Sequence, residues 1–98
     1  MVVEHAMLII KEGLVEEFIR TINEAIPILS SSEGYLYHRL LRNKENPTHF
    51  ILVVHWNSLE DHIDKFIGSL KFKKWDTMLR CFFDSNPKVL HYTELNFD

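Results

Sequence analysis

A chain of 98 residues has room for one domain with a single core, and hydrophobic and charged fractions of 46% and 26% are those of an ordinary globular protein. The net charge is -3 and the basic residues are scattered apart from Lys71, Lys73 and Lys74, which argues against nucleic acid as a partner. The longest apolar runs, Ala6 to Ile10 and Phe50 to Val54, have five residues each, so neither a membrane span nor a secretory leader is expected. The single cysteine, Cys81, fits a reducing cytoplasm.

Val2 to Ile10 is rich in β-branched and other apolar residues and stops at Lys11-Glu12-Gly13, which predicts a first strand. From Leu14 the period changes. Val15, Phe18, Ile19, Ile22, Ile26 and Leu29 recur every three or four residues, with Glu16 and Glu17 in the first turn, as in an amphipathic helix. Pro27 predicts a kink or a tightened end in its last turns. Polar turns at Ser30 to Gly34 and Asn43 to Pro47 delimit strands over Tyr35 to Leu41 and His49 to Trp56. Ser58 with Asp61 three residues on is a variant capping box, so a second helix is expected from there, with Leu59, Ile63, Phe66 and Ile67 as its buried stripe. Gly68-Ser69 breaks it, and a further helical stretch carries Phe72, Trp75, Met78, Leu79 and Phe82. Asp84 to Pro87 ends that stretch, and Val89 to Leu95 predicts a last strand.

The order strand, helix, strand, strand, helix, strand is that of a ferredoxin-like α+β domain, a four-stranded antiparallel sheet with both helices on one face. One domain fills residues 1–98. Phe50-Ile51-Leu52-Val53-Val54 is apolar on both faces, whereas a sheet with one wet face alternates. A second copy packed sheet against sheet is the economical cover, so a homodimer is expected.

The segment Trp56-Asn57-Ser58-Leu59-Glu60-Asp61-His62, followed by Phe66, Ser69 and Phe72, resembles the Trp-x-Ser signature of the antibiotic biosynthesis monooxygenase family. Lys11-Glu12-Gly13, Ser32-Glu33-Gly34 and Pro87 with Val89 and Tyr92 agree with it. The resemblance implies a dimeric α+β barrel. It also implies a reaction with oxygen that uses no flavin, haem or metal, because an electron-rich phenolic, quinol or enolisable substrate itself reduces the oxygen. Trp56 stands where the family places a pocket tryptophan, His62 where its polyketide-oxidising members carry a pocket tyrosine, and Leu52 where they carry an asparagine. The haem-degrading branch needs an asparagine, a tryptophan and a histidine at positions held here by Met7, Phe66 and Asp76, which argues against haem.

His62 and Trp56 are therefore the candidate catalytic pair. His62 is the expected proton acceptor, because apolar walls disfavour imidazolium and leave a neutral ring free to accept a phenolic proton. Phe66, Phe72 and Trp75, with Leu52, are candidate walls for a small aromatic or hydrophobic ligand, and by the family analogy His5 and Met7 point to the same pocket. No histidine pair has the close spacing of a metal site and no glycine fingerprint of a dinucleotide cofactor is present, so no cofactor is expected. The competing reading is a non-catalytic ligand-binding or regulatory dimer in which Leu52 replaces the polar site.

Overall fold

The computed structural model describes residues 1–97. Strand β1 (Val2–Ile9) leads through Gly13 into helix α1 (Val15–Ser30), and the chain returns as the hairpin of β2 (Tyr35–Arg42) and β3 (His49–Trp56). A π-helix (Asp61–Phe66), helix α2 (Leu70–Leu79) and a 3-10 turn (Arg80–Phe82) then precede β4 (Lys88–Tyr92). The sheet order is β2-β3-β1-β4, antiparallel throughout.

The α+β, ferredoxin-like sheet with helices on one face is thus present, but the dimeric α+β barrel implied by the resemblance is not. The sheet is open, with β2 and β4 as its two edges. Even small barrels take about eight strands to close, and four leave both edge ladders unpaired.

Alternation decides what each face carries. Along β1, Val2, Glu4, Ala6 and Leu8 point to the helices and Val3, His5, Met7 and Ile9 to the other side. Along β3, Phe50, Leu52, Val54 and Trp56 join the core, where Phe18, Ile22 and Leu29 of α1 and Leu79 of α2 meet them. Phe18 lies edge-on to Phe50, with ring centroids 5.1 Å apart. Helix α1 continues through Pro27 to Ser30, and the N–H of Ser31 reaches back to the Pro27 carbonyl at 3.1 Å. The last strand stops at Tyr92, short of the expected Leu95.

The second helix differs from the sequence expectation in a way that positions the site. It is a wide π-turn, closed by Ile67 N–H on the His62 carbonyl at 3.0 Å, and it buries Asp61, His62 and Phe66 together. Ser58 starts it, accepting from the Asp61 N–H at 3.2 Å and donating to the Asp61 carboxylate at 2.9 Å. Gly34, at φ +82°, packs directly on that carboxylate, where any Cβ would collide. Its carbonyl accepts from Asn57 N–H at 2.7 Å, so the turn after α1 clamps the start of the π-helix. Ser69 caps α2, its hydroxyl accepting from Phe72 N–H at 3.2 Å. Among the described residues, no helix is long and apolar enough to cross a membrane.

Candidate active site

Between the sheet and the second helical layer lies a cavity of about 400 Å³. Its floor is Glu4, Ala6 and Leu8 of β1 with Leu52 of β3 and Val89 of β4, and its roof is His62, Phe66, Phe72 and Trp75. The aromatic roof is self-supporting, since Phe66 stands edge-on to Phe72 at 5.5 Å and to Trp75 at 6.5 Å. At the rim, Arg80 forms a bidentate pair with Asp76 at 2.9 and 3.1 Å, one helical turn apart on the α2 side.

Inside that rim, one buried carboxyl group interrupts the mainly apolar lining. Glu4 is 6% exposed, and its Oε1 accepts the indole N–H of Trp56 at 2.9 Å while His62 Nε2 lies 3.2 Å away. Both contacts fall on Oε1, and Oε2 is the oxygen left for a molecule in the cavity. Burial pushes the Glu4 carboxyl up from 4.5 to about 7, against the opposing pull of the Trp56 hydrogen bond. Burial, with the neighbouring His91, holds the His62 imidazole down from 6.5 to about 4. The 3.2 Å approach of His62 Nε2 to Glu4 is accordingly a contact with a neutral imidazole and not an ion pair, because desolvation opposes charge on both partners.

Every sequence-derived candidate can now be placed. His62 lines the cavity and stacks on Trp56, with ring centroids 5.1 Å apart and planes at 20°. Trp56 is fully buried behind that wall and meets the site through Glu4. Leu52, Phe66, Phe72 and Trp75 line the cavity. His5 and Met7 do not, since they stand on the opposite face of the sheet, His5 against Tyr92 at 4.7 Å and Met7 largely exposed. The family analogy put them one residue out of phase, and a slip of one residue in a strand exchanges the faces.

Glu4 and His91 are the residues that sequence reasoning missed. The signal was available in the alternation, because Glu4 is an acid in phase with Ala6 and Leu8 inside an apolar strand. His91 sits directly across from it on β4 and contacts His62 Nδ1 through Nε2 at 2.7 Å. That direct contact leaves no space for an ion between the two rings, and among the described residues no His, Cys, Asp or Glu group has the arrangement of a metal site.

Residues 1–77 match the family model of the antibiotic biosynthesis monooxygenases. The chain belongs to that family. It is 40% identical over 95 residues to the uncharacterized protein YczJ of Bacillus subtilis (strain 168), covering 97% of this chain and 100% of that protein. A crystal structure of a putative antibiotic biosynthesis monooxygenase from Bordetella bronchiseptica superposes with a TM-score of 0.94 at 25% identity, over 97% of each chain. A mutant of SnoaB, a cofactor-independent oxygenase from Streptomyces nogalater, superposes with a TM-score of 0.81 at 14% identity, over 98% of this chain and 94% of that one. At that identity the likeness to SnoaB bears on the fold alone.

Proposed function

We propose that this member of the family is a cofactor-independent monooxygenase acting on a small phenol, hydroquinone or similar enolisable compound, with Glu4 as the base. The observation that carries the reading is a buried carboxyl, poised near neutral pH, in the wall of a mainly apolar cavity sized for one small ring system, whose other carboxyl, Asp76, is paired with Arg80 at the rim. Glu4 Oε2 takes the hydroxyl proton, and the anion that remains is electron-rich enough to give one electron to O2. Recombination forms a carbon–oxygen bond at a ring carbon that carries hydrogen. Loss of that ring proton with cleavage of the oxygen–oxygen bond gives the quinone, and the departing hydroxide takes a proton to become water. One substrate and one O2 therefore give one quinone and one water, with all four electrons supplied by the substrate. Phe66, Phe72 and Trp75 shield the intermediates from solvent, and Trp56 and His62 hold the carboxyl from Oε1. His62 has both ring nitrogens engaged within the chain, which favours Glu4 over His62 as the group that meets the hydroxyl.

Oxygen uptake with a panel of phenols and hydroquinones tests this. One O2 per substrate, one labelled oxygen atom in the product from labelled O2, and loss of uptake in Glu4→Gln are expected. Ligand binding in the cavity without any uptake would favour the non-catalytic binding module instead.

The same reading includes a homodimer through the open face of the sheet. Met7, Tyr37, Leu41, Leu90 and Tyr92 are large apolar or amphipathic side chains exposed on one surface. On the same face, in the row of Tyr37 and Tyr92, His55 is buried against Tyr37, with rings stacked 4.0 Å apart, and its Nδ1 has no partner among the described residues. A second copy supplies both the apolar cover and the missing hydrogen-bond group, and sedimentation at micromolar concentration is expected to give twice the mass of the chain.

A further inference from the structure

Glu4 stands at the closed end of its cavity, where Leu52, His62 and Phe66 are buried with it. From there the floor runs along β1 through Ala6 to Leu8, which at ~3.3 Å per residue lies about 13 Å from Glu4. Past Leu8 the strand is tied to the segment after the 3-10 turn. Ile10 is bridged to Phe83, and the Ile9 carbonyl accepts from Asp84 N–H at 2.8 Å. At this end lies a second cavity of about 260 Å³, which shares Arg80, Phe83 and Asn86 with the first and adds Asp84 and Ser85. Asp84, Ser85 and Asn86 are exposed, so the site is an apolar chamber followed by a polar vestibule.

We propose that the vestibule is a second subsite, and that the site takes a phenol with a long substituent, apolar where it leaves the ring and ending in an uncharged hydrogen-bonding group, a hydroxyl or an amide. The proposal rests on the reading in which the phenolic hydroxyl meets Glu4. It adds what the rest of the molecule must look like.

Between the two ends the sheet offers apolar contact alone. Leu52 of β3 and Val89 of β4 flank Ala6 as its cross-strand partners, and Leu8 follows them. A polar atom of the ligand at that level would lose its water and gain no partner from the sheet. In the vestibule partners are at hand. The pairing with Asp76 uses Arg80 Nε and Nη2, at 2.9 and 3.1 Å, which leaves Nη1 to donate to a ligand. Asn86 brings both a donor and an acceptor, and Ser85 a hydroxyl. Charge decides against an acid at this position. The charged groups lining the vestibule are the carboxylates of Asp76 and Asp84 and the single guanidinium of Arg80, which Asp76 already neutralises, so Asp84 would repel a carboxylate.

The test is equilibrium binding in the absence of oxygen, followed in proton–nitrogen spectra, with a homologous series of 4-hydroxyphenyl alkanols set against 4-alkylphenols of equal length. In the short members the terminal hydroxyl stops beside Leu8 and is expected to bind less well than the methyl group it replaces. In members long enough to reach Asn86 it is expected to gain about threefold to tenfold over the methyl. That crossing from loss to gain is what two chambers in series require. The Asn86 side-chain amide signal is expected to move with the long alkanols and not with the short ones, and Asn86→Ala to bring the ratio of the two affinities back toward one. Carboxylic acids of the same length are expected to bind more weakly than the alkanols. A ratio that never crosses, an acid that binds more tightly than its alkanol, an Asn86 signal that stays still, or failure of every member to bind would overturn the vestibule. Because oxygen is absent, the result is separate from the monooxygenase reading. A crossing with no later oxygen uptake removes the oxidation and leaves the two-chamber site standing, whereas oxidation of phenols with no crossing does the reverse.

Discussion

The two faces of the sheet carry similar materials to opposite ends. Toward the helices, Glu4, His62 and His91 are polar groups in an apolar setting, and each is bonded to another within the chain. On the open side, His5 leans on Tyr92 and His55 is stacked under Tyr37 with a buried nitrogen unpaired. A completed polar network inside a cavity is suited to chemistry on a small molecule. An incomplete one on an apolar surface is suited to another protein surface. The difference arises from alternation alone, since Glu4 and His5 are adjacent residues of one strand.

The sharpest way to break the comparison is to exchange the effect of those two neighbours. Glu4→Gln is expected to lower turnover on a confirmed substrate by ~10² to 10⁴, the usual contribution of a positioned base. His5→Gln, one residue away, is expected to leave it within about twofold. In the unaltered protein the rate should climb with pH as Glu4 ionises and level off above about 7. Stability moves in the opposite sense. The Glu4 value is raised on folding, so this group's contribution is complete below 4.5 and is lost as pH rises to about 7. Denaturant titrations should therefore show Glu4→Gln gaining on the unaltered protein across that window by about 3 kcal/mol. His62 acts in reverse, its contribution falling as pH drops from 6.5 toward about 4, so the variant alone should weaken markedly in acid.

Gly34→Ala attacks the clamp that holds the π-helix over the covered face. A positive φ and a collision with the Asp61 carboxylate combine to an expected loss of about 3 kcal/mol in urea unfolding, with the cavity site disturbed and the open face spared. On the open face, Leu41→Asp should shift sedimentation toward the monomer, with an interface loss of about 1 to 2 kcal/mol, and should leave the Glu4 titration unchanged. The smallest effect on the chemistry is expected from Trp56→Phe. Its indole hydrogen bond pulls the Glu4 carboxyl down, so its loss should move the rising limb of the pH–rate profile to higher pH, while the vacated core volume and the lost bond together cost about 2 to 3 kcal/mol of stability.

Much of the fold is legible in the sequence because its signals are local. The period change at Leu14, the turns around Gly34 and Pro47, and the two-sided apolar run of Phe50 to Val54 each depend on neighbouring residues. The π-turn is not legible, because Ser58 and Asp61 announce a helix start without stating its pitch, and the packing of Gly34 on Asp61 joins segments far apart in sequence. The site was legible in part for the same reason. Trp56 and His62 are close in sequence and do meet, but their meeting point is a carboxyl 52 residues before Trp56, and His91 arrives from the last strand. The resemblance puts His5 and Met7 on the pocket side, whereas Ala6 and Leu8, the more uniformly apolar pair, mark the other face as the core side.

The most direct measurement is the titration of the Glu4 side-chain carboxyl itself, followed by carbon NMR in protein labelled at glutamate and assigned by its absence in Glu4→Gln. A midpoint near 7 is the expected result for a desolvated base held by Trp56 and His62 in the cavity wall. A midpoint near 4.5 would contradict it and leave the cavity without a carboxyl poised near neutral pH.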